Sequence, residues 1–147
     1  MSTISHRIPT VVRLALGTLF FVFGLDGFLH FMPHPPMPEA AGQFAGALFA
    51  TGYMFPLIKG TEVVAGALLL GGRFVPLALT LLAPVIVNIA LFHIVLAPQA
   101  PLVVFLLGAE IYLAYSYRTS FSGVLNAQAR PVQQQSAQAS GRLAHAS

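Results

Sequence analysis

The chain has 147 residues, 56% of them apolar and only 7% charged, with seven Lys and Arg, four Asp and Glu, and no Cys. Soluble domains carry roughly a quarter of their residues charged and just under half apolar, and the mean hydropathy here is +0.80, so a water-soluble globule is excluded. Without Cys the chain has no disulfide, thiolate metal ligand, iron-sulfur cluster or thiol relay of its own, and redox chemistry would require a bound group or a partner. The net charge is +3, but the Lys and Arg stand singly along the chain, which argues against nucleic acid as a partner and for a role in membrane topology.

A transmembrane helix needs about 20 apolar residues, so four spans fit this length and six do not. The first apolar run is Val11 to Phe31, preceded by Arg7 and interrupted by Arg13 and Asp26. It is longer than the apolar region of a signal peptide, so it is read as a retained first span. In Met32-Pro33-His34-Pro35-Pro36-Met37-Pro38 the prolines remove backbone donors and stop any helix. Glu39 to Ala50 then reads as a short helix, with Pro38 at its start and Gly52 beyond its end. It is too short to span and is expected to lie in the interface or cap the bundle.

The second span is expected at 55–71, opened by Pro56 and containing Lys59 and Glu62. Gly71-Gly72-Arg73 forms a turn into a third span at 74–96, with Pro84, Asn88 and His93 inside it. Pro98-Gln99-Ala100-Pro101 turns the chain into a fourth span at 102–117. Short connections make neighbouring helices antiparallel. The expected fold is therefore all-α: an integral membrane four-helix bundle over residues 1–118, with one short interfacial helix outside. From Thr119 the composition shifts to Gln, Ser and Ala, and residues 119–147 are expected to form a disordered tail.

Positive charge sets the expected orientation. Arg7 and Arg13 precede the first span, Arg73 lies between the second and third, and Arg118, Arg130 and Arg142 follow the fourth. The other two connections carry no Lys or Arg. Both termini, with the tail, are accordingly expected on the cytoplasmic side, and the proline segment and short helix outside. Arg13, Arg73 and Arg118 read as anchors, Tyr112, Tyr115 and Tyr117 as an aromatic belt, and Lys59 as an interface charge or the i, i+3 partner of Glu62.

Intramembrane ionisable groups cost roughly 2.5 to 3.5 kcal/mol on insertion scales and point to function by default. Helical rise puts Asp26 about 20 Å from Arg13, Asn88 about 22 Å from Arg73, Glu62 about 9 Å from Pro56 and Glu110 about 12 Å from Arg118. These depths bring all four into one layer between the bilayer middle and its outer third. Asp26 and His30 are spaced i, i+4 on one helix face, and Glu62 shares a small-residue face with Ala65 and Gly66. The expected site is a polar ligand pocket lined by Asp26, His30, Glu62, Asn88, His93 and Glu110, with His34 also near its mouth. The competing structural reading makes the same groups interhelical hydrogen bonds. No Glu-x-x-His motif occurs and Pro33 interrupts the Asp26, His30, His34 series, so no metal site is expected.

Several segments resemble the DoxX-like family of small four-helix bacterial membrane proteins. They are Arg13-Leu14-Ala15-Leu16-Gly17 with Phe23-Gly24, Gly52-Tyr53-Met54-Phe55-Pro56, Glu62-Val63-Val64-Ala65-Gly66, Gly72-Arg73-Phe74-Val75-Pro76, Pro84-Val85-Ile86-Val87-Asn88 and Glu110-Ile111-Tyr112. The resemblance covers Arg13 to Tyr117 and implies a multi-pass protein of the bacterial inner membrane. Members of that family are associated with a quinol oxidase, with thiosulfate:quinone oxidoreduction, or with membrane complexes that resist oxidative and thiol stress.

The leading expectation is an accessory subunit without turnover of its own in a quinone-linked redox process, with a quinone as the ligand of the polar pocket. The two quinone carbonyls need hydrogen-bond donors, and a carboxylic acid or His supplies them. The bilayer, oxidoreductase subunits and a second copy of the chain are the expected partners. Two alternatives stand beside this: a small-solute or proton transporter that uses the same carboxylates as a relay, and a structural membrane adaptor that binds through the proline segment and short helix.

Overall fold

The computed structural model describes residues 2–33 and 35–122. It is all-helical there, with α1 at Ser2–Leu29, α2 at Glu39–Ala50, α3 at Met54–Gly71, α4 at Val75–Val95 and α5 at Ala100–Ser116. Three helices are long and apolar enough to cross a membrane: α3, α4 and the Arg7–Leu29 part of α1. Helix α5 is equally apolar in character but has 17 residues. The chain divides after Tyr117. Beyond that point a 3-10 turn spans Arg118–Phe121, and residues 123–147 of the expected tail lie outside the described residues, as does His34.

Helix α1 packs on α3 and α5, α3 on α4, and α4 on α5. The tightest of these interfaces is α1 with α3. An ideal Cβ on Gly66 would stand 2.6 Å from the Phe21 amide nitrogen, and one on Gly24 would stand 2.9 Å from that of Val63. Only glycine permits this backbone approach. In lipid, where apolar burial alone drives little association, close van der Waals packing of this kind is what holds helices together. Arg13 lies beside Leu69 and Leu70 while Gly27 lies beside Lys59, so the two helices run antiparallel.

Leu16 and Phe20 of α1, Leu69 of α3, Leu79, Leu82 and Ile86 of α4, and Leu106 and Leu113 of α5 form the fully buried core. The turns follow from local chemistry. Helix α3 ends on Gly72 at φ 65°, with the Arg73 amide donating to the Leu68 carbonyl at 3.2 Å, the pattern of a Schellman stop. Thr51 joins α2 to α3: its hydroxyl donates to the Leu48 carbonyl and accepts from the Met54 amide at 3.0 Å. Helix α2 lies against neighbouring helix ends through Phe44 on Phe92 of α4 and Phe49 on Phe55 of α3. That contact gives the short helix a packed position without enough length to span.

Candidate functional site

The polar groups of α1 and α3 meet across the glycine seam. Glu62 is 2% exposed, and its Oε2 accepts a hydrogen bond from the Lys59 ammonium at 2.8 Å. The Lys59 stem crosses Gly27 of α1, where an added Cβ would stand 2.5 Å from its Cγ and Cδ. The same ammonium lies 5.9 Å from the centre of the Phe55 ring. A long side chain thus covers apolar surface along its methylenes while its charge reaches a buried partner. Gly24 and Gly27 make the room, and the i, i+3 spacing on α3 makes the pair.

Asp26 is 3% exposed and lies between these two glycines in the last turns of α1. Its Oδ1 accepts from the Met32 amide at 2.7 Å, so the carboxylate holds the chain as it leaves α1. His30 donates its amide to the Asp26 carbonyl at 2.8 Å and takes a left-handed backbone, φ 52°. The expected common face of Asp26 and His30 requires both to be helical. Because His30 closes the helix in the left-handed region, it is exposed and points out of the i, i+4 register.

His93 sits in the last turn of α4. Its Nδ1 lies 3.0 Å from the Ala97 carbonyl and its ring meets the Phe92 ring edge-on at 5.1 Å, which ties it to the helix end. Asn88 does not join the core. It is exposed, on the side of α4 opposite to Leu79, Leu82, Ile86 and Ala90, which are buried. A helix uniformly apolar around its circumference carries no pattern that reveals this rotation from sequence.

Glu110 is partly buried on α5, beside buried Ala109 and one turn from Leu106 and Leu113. Its Oε2 is shielded from solvent and has no hydrogen-bond partner among the described residues. Buried polar atoms in folded proteins are nearly always paired, so an orphaned carboxyl oxygen marks a place where a ligand, a proton or a partner group completes the chemistry. Among the described residues no three His, Asp or Glu side chains are arranged to hold a metal ion. The six expected pocket residues fall on four helices and their ends. Asp26 and Glu62 are buried along the α1–α3 seam, Glu110 stands on α5, His30 and His93 terminate helices, and Asn88 faces outward.

A further partly buried contact joins α1 to the end of α3, at a residue expected only as a topology anchor. The Arg13 guanidinium donates to the carbonyls of Leu69 and Leu70 and lies over Gly72. It caps the C-terminal end of α3, where unsatisfied carbonyls and the helix dipole favour a cation. The only signal in the sequence is an Arg placed inside an apolar run. Comparison with family models, curated proteins and solved structures found no match.

Proposed function

We propose that this chain is an accessory subunit of a quinone-linked redox or oxidative-stress process in the bacterial inner membrane, with Glu110 as its ligand-facing acid. On this reading α5 is a fourth span beside the three longer helices, and the four form an antiparallel bundle with both termini cytoplasmic. At 17 residues α5 is within the shortest range of spanning helices. The observation that carries the reading is the buried Glu110 Oε2 without a hydrogen-bond partner in an otherwise apolar helix.

That oxygen fits a quinone carbonyl. A quinone held there would supply two-electron, two-proton chemistry, with the electrons and the second proton coming from a partner oxidoreductase. A protonated Glu110 donates a hydrogen bond to one carbonyl and can pass that proton to it, to be reloaded afterwards. Its Oε2 is shielded from solvent. Lys59 and Glu62 neutralise each other and serve as a fixed charge pair, while Asp26 holds the outgoing chain. The resemblance to DoxX-like proteins supports the redox assignment, and the absence of Cys leaves electron transfer to the partner.

The test is quinone content, measured by extraction and mass spectrometry on protein purified in mild detergent at matched lipid load. Near-stoichiometric quinone in the wild type that falls in Glu110→Gln but not in Asp26→Asn supports the reading. Equal background quinone in all three overturns it and favours the transporter alternative.

A further inference from the structure

The outward face of α4 carries a polar group where a bilayer offers none. Leu77, Leu81, Pro84, Asn88, Leu91 and Val95 are all exposed, and their spacing alternates four and three residues. That spacing suits two helices packing side by side with a left-handed crossing. Asn88 stands near the middle of the seam and forms no side-chain hydrogen bond among the described residues. Pro84, one turn earlier, has no N–H, so the Thr80 carbonyl lacks its helical donor on the same side. Against lipid tails both the amide and the carbonyl would be unpaired, at a cost of several kcal/mol for a group left wholly unsatisfied in an apolar medium.

We propose that this face of α4 pairs with the same face of a second copy of the chain, in parallel, with Asn88 hydrogen-bonded to Asn88 across the two-fold axis. The carboxamide is complementary to itself in charge: the partly positive Nδ2 hydrogens of one copy meet the partly negative Oδ1 of the other. Two copies inserted with the same topology place Asn88 at the same depth, which a two-fold axis normal to the membrane requires. Leucines and Val95 flank the amide along the rest of the seam and supply apolar contact. The interface rests on α4 lying in the bilayer, and it is independent of whether the protein binds quinone.

The absence of native Cys makes the test direct. Single Asn88→Cys and Leu91→Cys variants, oxidised in membranes, are expected to form disulfide-linked dimers, whereas Ile111→Cys, on exposed α5 surface, is not. In parallel, light scattering of detergent-solubilised protein is expected to give a dimer for wild type and for Asn88→Gln. Asn88→Leu should weaken self-association about tenfold while its thermal unfolding midpoint, read on the monomer, stays with that of wild type. A monomeric wild type, a dimer undiminished by Asn88→Leu, or equal crosslinking at residue 111 overturns the proposal. Crosslinking of the α4 cysteines to a different membrane protein in place of the second copy overturns it too.

Discussion

Along the α1–α3 seam the buried charged groups are matched within the chain: Glu62 by Lys59, the α3 carbonyls by Arg13, and the Met32 amide by Asp26. On α4 and α5 some polar groups are matched too, His93 by the Ala97 carbonyl and Ser116 by that of Tyr112, but two are not. Glu110 keeps a buried oxygen without a partner, and Asn88 faces away from the core. Both regions embed polar groups in apolar surroundings, where each unpaired group is costly. The first region completes its hydrogen bonds internally and is accordingly architecture. The second leaves the Glu110 oxygen and the Asn88 amide open among the described residues, which is why the proposed ligand and the proposed second copy are both placed there. An intramembrane polar residue is informative about function mainly when the fold leaves it unsatisfied.

The largest expected effect breaks the seam itself. Gly66→Val places a branched side chain where even a Cβ meets the Phe21 amide at 2.6 Å. Overpacking of this kind costs about 3 kcal/mol, and circular dichroism in mild detergent should show a clearly lowered unfolding midpoint. A midpoint equal to wild type would show that α1 and α3 are not in backbone contact.

Next comes the ion pair. Lys59→Met strands a carboxylate that is 2% exposed, whereas Glu62→Gln leaves a lysine whose side chain is 21% exposed and can turn toward water. Lys59→Met is expected to cost about 2 kcal/mol and Glu62→Gln less, with the double variant recovering part of the loss. Additive single losses in that cycle would sink the pairing. Arg13→Gln removes the charge that caps α3 and should cost about 1 kcal/mol, read by the same unfolding measurement. The smallest change sharpens the contrast between the two halves. Glu110→Gln breaks no hydrogen bond inside the chain and should shift stability by less than about 0.5 kcal/mol, so a loss as large as that of Lys59→Met would place Glu110 with the architectural groups.

Much of the helical layout is legible in the sequence. The short helix at Glu39–Ala50, the break through the prolines, and the turn at Gly72 all depend on residues within a few positions of one another. The helices near 55–71 and 74–96 are displaced from their expected ends by no more than a residue. Helix α1 begins nine residues before the expected Val11, because the helix runs on through Pro9 past the apolar stretch. The candidate site is less legible. Burial of Asp26 and Glu62 accords with placing polar residues on small-residue faces. The left-handed close at His30 and the hydrogen bond from the His93 ring to the helix end are properties of helix ends, and i, i+4 counting assumes the helix continues.

The sequence by itself determined the all-helical, strongly apolar character of the chain and, the start of α1 apart, the approximate position of each helix. Composition, prolines and glycines act locally or in sum, and neither depends on which helix becomes a neighbour. Tertiary structure alone decided how each helix is rotated about its axis. Helix α4 is apolar on every side, so nothing along its sequence distinguishes the face with Leu82 and Ile86 from the face with Asn88. Packing against α3 and α5 chooses between them. The same packing brings Arg13 to the end of α3 and lays Lys59 over Gly27, contacts that link residues far apart in the chain and exist only once the backbones have come close enough to touch.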